Sequence, residues 1–329
     1  MGKRFTLFLV VLVAGCGGKT SSPGSLSDVA APPLDGGLPV DIVANTEIED
    51  GVIQSPNGSP GCGLARTHAP GGVQVTHTFS SLAAGQRSFF LSVPDSYDST
   101  VPQRLIVGYA GTNWTGRQIE SYLALESTSP QAGEIYVYPD PQWHEFEGWG
   151  NLSGWLLGPH ASPADGMADI EFTRELLDLL GNQYCIDTER VFAAGHSWGG
   201  DMAAVVGCFL GDLFTAVAPA AANRPYWFEP EEGDVECISS AAVWTFFGQN
   251  DPHFSWETYP GQFGDEQVAF WKTLHHCDDS EMELEAGAGE CVQYLGCSYD
   301  TRYCFYNPEA GHQVPSYFPT AVLGWFRQF

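Results

Sequence analysis

The sequence predicts a doubly wound α/β domain with a mostly parallel sheet, occupying residues 61–329 as one unit. Three observations predict it. Short apolar runs alternate with amphipathic helical stretches, the pattern of a sheet covered on both faces. Composition shifts once, near residue 60, and no internal repeat is present. A chain of 329 residues also leaves a body long enough to enclose a sizeable core.

Taken in order, the elements begin with an export signal. Lys3 and Arg4 form a positive start, and Phe5 to Val13 is an apolar run too short for a resident membrane helix. It ends in Val13-Ala14-Gly15-Cys16, which looks like a bacterial lipobox, so cleavage before Cys16 and lipidation of its thiol are expected. A cleaved signal with an incidental cysteine is the alternative, and the chain is exported in either case. Residues 16–60 are rich in Gly, Ser and Pro and read as a disordered tether.

Within the body, Phe89 to Val93, Arg104 to Tyr109 and Glu134 to Pro139 read as strands. Trp143 to Trp155 reads as an aromatic segment with little regular structure. Asp169 to Tyr184 is a helix, with Phe172, Leu176, Leu179 and Leu180 on one face and Asp169 as its N-cap. Val191 to Gly195 is a strand, and Trp198 to Leu210 a helix of small residues. Phe214 to Ala218 and Ala242 to Gly248 are buried strands. Gln267 to His275 is helical, Arg302 to Asn307 is the last strand, and Phe318 to Phe329 closes the chain as a helix.

The totals narrow the function classes. Against 40 acidic residues stand 13 basic ones, a net charge of −27. So negative a surface repels phosphate backbones, and nucleic acid is excluded as a partner. Of nine cysteines, Cys16 is assigned to lipid. The other eight, in an oxidising compartment, read as up to four disulfides. We expect Cys62–Cys185, Cys208–Cys237, Cys277–Cys297 and Cys291–Cys304, although counting alone selects no pairing. No spacing offers the paired ligands of a zinc site, so neither a metal nor another cofactor is expected.

The chemistry centres on Gly195-His196-Ser197-Trp198-Gly199. A serine hydroxyl needs an adjacent base to become a nucleophile. Here the serine lies between a β-like V-F-A-A and a helical D-M-A-A-V-V, the strand–turn–helix context of a nucleophile elbow, where small flanking residues let strand and helix cross. In such folds an acid and then a histidine follow the serine in chain order. Asp251, just past the Ala242–Gly248 strand, fits the acid. Asp265, Asp278 and Asp279 lie beside helices and read as solvated surface. His312, after the last strand, fits the base. His196 belongs to the elbow, His253 to the acid's loop, and His275 and His276 to a helix end. The donors for an oxyanion would be the backbone N–H groups of Trp198 and of Thr112, the latter in the loop after the Arg104–Tyr109 strand.

These residues resemble the exported feruloyl esterases and the related polyhydroxybutyrate-depolymerase-like esterases, which have the α/β-hydrolase fold. The matching pieces begin with Gly61-Cys62-Gly63, V-P-D-S-Y-D at 93–98, R-L-I-V-G at 104–108 and Gly148-Trp149. They continue with D-I-E-F-T at 169–173, C-I-D-T-E-R-V-F-A-A-G-H-S at 185–197, Cys277, and Tyr294 to Cys297. Gly311-His312 and the terminal W-F-R-Q-F complete the set. The resemblance implies a Ser197, Asp251 and His312 triad. Two positions depart from its pattern: Ala110-Gly111 stands for a His-Gly pair, and Trp198 for Asn or Tyr after the serine.

By the same resemblance the chain would be a monomeric serine esterase. It would cleave hydroxycinnamate esters on plant-wall polysaccharide, while the lipid expected on Cys16 would anchor it to the outer membrane or cell surface. Trp114 and Trp149, with Trp198, could offer a flat platform for the phenolic ring. The same machinery would cleave polyhydroxybutyrate or the acetyl groups of xylan. A transferase or peptidase on the same fold, or a non-catalytic surface binding lipoprotein, is the reading from a different class. The complete Ser–Asp–His order argues against the last, because a binding module has no need of it.

Overall fold

The computed structural model describes residues 57–81, 85–128, 133–146, 148–157, 163–225, 237, 241–252, 262–287, 290–307 and 310–329. The expected signal, Cys16 and the tether to residue 56 lie outside the described residues. Residues 57–60, expected as the end of the tether, belong instead to the folded body. Gly58 bridges Asp187, and the Ser59 N–H donates to the Ile186 carbonyl at 2.8 Å. The Ser59 hydroxyl in turn donates to the Tyr184 carbonyl at 2.6 Å. Composition hides this, because the segment is held by backbone pairing rather than by apolar side chains.

The centre of the molecule is a parallel array whose strands, in spatial order, are β4 (Ile135–Pro139), β3 (Gln103–Tyr109), β7 (Ile186–His196), β8 (Ala216–Ala220), β9 (Ala242–Gly248) and β12 (Thr301–Tyr306). Antiparallel strands extend both edges. On one side are β2 (Gln86–Val93) and β1 (Gly71–Thr78), on the other β11 (Cys291–Tyr294) and β10 (Glu281–Glu283), completing a 10-stranded sheet.

The strand alternation sorts side chains to two cores. Leu105, Val107, Tyr109 and Ala193 face one way, against α3 (Pro163–Gln183), α4 (Trp198–Phe209) and Trp271 of α5 (Gln262–Leu274). Ile106, Phe192, Ala194 and Phe246 face the other, against α1 (Gly116–Leu123), α2 (Leu125–Thr128) and α6 (Phe318–Phe326). Because both faces are covered, the central strands carry apolar residues at nearly every position. This is the doubly wound arrangement expected from the sequence.

Several elements differ from expectation. The aromatic segment after β4 is a hairpin of β5 (Gln142–Phe146) and β6 (Gly150–Gly154), pairing Trp143 with Ser153 and Phe146 with Gly150. Its alternation of exposed and inward residues is too short and too polar to register as a strand. β8 begins and ends two residues later than predicted. Asp169 is not an N-cap, because α3 starts at Pro163. It is a buried carboxylate within the helix, paired with Arg87 at 2.6 Å and accepting the Leu156 N–H at 2.6 Å. A buried charge needs such partners, and Arg87 arrives from β2, a long-range pairing invisible in a local reading.

Disulfides join Cys62 to Cys185, Cys208 to Cys237, Cys277 to Cys297 and Cys291 to Cys304. These are the pairs expected above. Among the described residues no helix is long and apolar enough to cross a membrane. Four disulfides fit an oxidising compartment outside the cytoplasm.

Candidate active site

β7 ends at His196, and α4 starts at Trp198, so Ser197 is the single residue of the turn between them. It adopts φ 59° and ψ −131°, a conformation that a residue with a Cβ holds only under constraint. The constraint is visible. Its N–H donates to the Ala220 carbonyl at 3.0 Å, and its carbonyl accepts from the Asp201 N–H at 3.0 Å. The flanking glycines are dictated by contact. A Cβ on Gly195 would lie 2.0 Å from the Gly199 carbonyl oxygen, and one on Gly199 would lie 2.1 Å from that of Tyr109.

At the same carboxyl edge of the sheet, Asp251 follows β9 and is fully buried, and its Oδ2 lies 2.7 Å from the His312 Nδ1. The two loops that carry this pair are packed backbone to backbone. The Asn250 N–H donates to the Ala310 carbonyl at 2.9 Å, and a Cβ on Gly248 would lie 2.5 Å from the Gly311 carbonyl oxygen. The His312 side chain keeps 17% of its surface exposed, so one edge of the ring stays accessible.

Three residues outside the expected triad hold His312 in place. His196, at the elbow, lies with its ring centroid 4.7 Å from that of His312 and 4.9 Å from that of Tyr122. The Tyr122 hydroxyl accepts the Val314 N–H at 3.0 Å, and the Tyr306 hydroxyl donates to the Gln313 carbonyl. The His312 loop is thus clasped by two tyrosines from α1 and β12. Only the adjacency of His196 to Ser197 hinted at this in the sequence.

The loop after β3 closes on Ser197. A Cβ on Gly111 would sit 3.2 Å from the Ser197 Cβ. Thr112, next in the chain, has no hydrogen-bond partner for its N–H among the described residues. The hairpin fixes this loop. The Asn113 N–H donates to the Ser153 carbonyl at 2.9 Å, the Ser153 N–H donates to Asn113 Oδ1 at 3.0 Å, and the Trp155 indole donates to the Ala110 carbonyl at 2.8 Å.

The tryptophans separate into three environments. Trp114 is half-buried with its ring edge-on to Tyr122 at 5.0 Å, so an aromatic row runs Trp114, Tyr122, His196, His312. Trp149 is 60% exposed in the hairpin turn. Trp198 departs from the expected platform. It is 9% exposed, its ring 4.7 Å from that of Phe146 and packed under Gly154, where it supports the hairpin as core. The residue after the serine begins α4, and its side chain therefore points into the packed face of that helix.

The comparisons with known proteins agree with this architecture. No family profile matches the chain. A probable feruloyl esterase C of Aspergillus niger is 30% identical over 166 residues, 49% of this chain and 52% of that protein. The match therefore spans about half the length of that relative. Feruloyl esterase C of Emericella nidulans is 29% identical over 263 residues, 77% of this chain and 83% of that protein. Among solved structures, an acetyl xylan esterase from Aspergillus awamori superposes with a TM-score of 0.59 at 18% identity, covering 78% of this chain and 98% of that one. An S-formylglutathione hydrolase from Agrobacterium tumefaciens gives a TM-score of 0.53 at 14% identity, covering 80% and 98%. The structural likenesses establish the fold, that of an α/β-hydrolase. The chain's named relatives by sequence here are feruloyl esterases.

Proposed function

We propose that the chain is a serine carboxylic-ester hydrolase whose preferred substrates are hydroxycinnamate esters of plant-wall polysaccharide. The observation that carries the reading is the convergence on one sheet edge of a strained Ser197 and a His312 hydrogen-bonded to a buried Asp251. With Asp251 as a carboxylate, the His312 Nδ1–H donates to it, and Nε2 is left as the base. In this scheme Ser197 Oγ attacks the ester carbonyl while His312 takes its proton. The imidazolium then gives that proton to the leaving alcohol oxygen, and water cleaves the acyl-enzyme by the same route. The N–H groups of Thr112 and Trp198 would receive the oxyanion, and the open Thr112 N–H supports its part.

Support for an aromatic acyl group comes from the row of rings that runs from Trp114 to His312. Ring stacking is worth about 0.5–1.5 kcal/mol beyond area burial, roughly a two- to tenfold preference if kept in the transition state. We expect kcat/KM for methyl ferulate to exceed that for a hydroxybutyrate trimer or an acetylated xylan. Trp114→Ala should shrink that ratio more than Trp149→Ala does. A trimer or acetyl ester that outperforms methyl ferulate would replace this substrate class with its own.

The export reading joins this proposal. Cys16 would be lipidated and hold a monomeric enzyme at the outer membrane by the residue 16–56 segment. The mass of the N-terminal peptide tests the lipid.

A further inference from the structure

Asp201, four residues beyond the nucleophile in the first turn of α4, takes no part in the chemistry proposed above, yet its surroundings are built around it. Its Oδ1 accepts the Asn223 backbone N–H at 2.6 Å, and the Asn223 side-chain amide reaches both carboxylate oxygens at 3.4 and 3.3 Å. Asn223 is held from its other side as well. Its carbonyl accepts the Gln267 Nε2–H of α5 at 2.7 Å, and Gln267 is fully buried. Nδ2, N–H and carbonyl of one loop residue are therefore clamped between the nucleophile helix and a second helix.

The clamped loop is the exit of β8, and it touches the elbow directly. The Ala220 carbonyl accepts the Ser197 N–H at 3.0 Å. A Cβ on Gly200 would lie 2.5 Å from that oxygen and 2.9 Å from the Ala222 Cβ. Ala221 has φ 48°, so two non-glycine residues in the left-handed region, Ala221 and Ser197, lie side by side. Such conformations persist only where the surroundings over-determine them. We propose that Asp201 is a positioning residue for Ser197, acting through Asn223 to hold the β8 exit against the nucleophile turn, and that its ionised form holds it more firmly.

The electrostatics suit this role. Asp201 keeps some residue surface, but its carboxyl group is desolvated, which pushes its pKa up to about 7 against the pull of the Asn223 donors and the His312 imidazole. Opposite the carboxyl group stand His312, backed by Asp251, and the uncharged Asn223 with Gln267 behind it. Arg224, beside Asn223, is exposed. Near neutral pH the group passes from an acid to a carboxylate, whose hydrogen bonds to N–H donors are roughly twice as strong.

The proposal rests on the serine-hydrolase reading but not on the choice of ester, so its test uses p-nitrophenyl acetate. Asp201→Asn keeps an acceptor for the Asn223 N–H and cannot ionise. Because the Asp201 charge also acts on the His312 ring, each kcat profile is first corrected for its own His312 ionisation, and the ratio of variant to wild type is then taken. We expect this ratio to lie near one at pH 5.5 and to fall to about one-fifth by pH 8.5, with KM unchanged. In an Asn223→Ala background, Asp201→Asn should add no further loss at high pH. A ratio that is flat with pH, a change confined to KM, or fully additive losses would overturn the proposal. Each would mark Asp201 as a packing residue only.

Discussion

Ser197 and Gly199 show how a single position can be over-determined. The serine needs positive φ to present its hydroxyl, and the glycine lies where any side chain would overlap the Tyr109 carbonyl. Asp251 and His312 are set differently, through loops whose backbones interlock at Gly248 and Ala310. On the proposed mechanism, Ser197→Ala should lower kcat for any ester by about 10⁴-fold or more while leaving the melting temperature nearly unchanged. Asp251→Asn should cost about 10²- to 10⁴-fold, because an amide can stabilise the wrong His312 tautomer. Near-normal turnover in either variant would remove that residue from the site. At this scale the three candidate residues were legible because chain order and strand ends restrict the choice. The clasp of His196, Tyr122 and Tyr306 was not, since rings from a turn, a helix and a distant strand meet only after folding. Asp169 misled for the same reason, its partner Arg87 being supplied by a strand far back in the chain.

Among the elements, the C-terminal end of α5 carries a second test of buried charge. His275 is fully buried, with Nδ1 2.7 Å from the Thr301 hydroxyl, which itself donates to the Tyr299 carbonyl at 2.9 Å. The hydroxyl therefore accepts the Nδ1–H of a neutral ring. Burial, with a smaller contribution from the neighbouring His276, lowers the His275 pKa from 6.5 to about 4. A folded pKa below the unfolded value means that the unfolded chain binds the extra proton first. The stability contribution is thus whole above pH 6.5 and drains as pH falls towards 4, by up to about 3 kcal/mol. The melting temperature of wild type should fall more steeply between those limits than that of His275→Gln. Parallel slopes would contradict the assignment. The helix itself was readable from the spacing of Val268, Trp271 and Leu274. By contrast the hairpin, α1 and the edge strands β1, β10 and β11 escaped notice. They are short or half-exposed, and their pairing is decided by neighbours rather than by their own periodicity.

For the molecule as a whole, the strand–helix alternation was enough to define a two-sided sheet, because covering both faces forces apolar runs in the central strands. The start of the domain was misplaced by a few residues, since Asn57 to Pro60 attach by backbone bonds and by the nearby Cys62–Cys185 disulfide. That disulfide closes a sequence separation of 123 residues, against 20 for Cys277–Cys297. In the chain-entropy account, a cross-link stabilises by restricting the unfolded ensemble, and the effect grows with the logarithm of loop length. Replacing both cysteines by alanine should then cost about 5 kcal/mol for the long loop and about 3 kcal/mol for the short one. Cys291–Cys304 is a poorer comparison, because both sulfurs are fully buried and their loss would add a cavity cost to the entropic one. Guanidinium unfolding of the two double variants measures the difference. A short-loop variant that loses as much as the long-loop one would show that native contacts at the bridge, rather than the linking of the domain's first residues to the sheet, set its contribution.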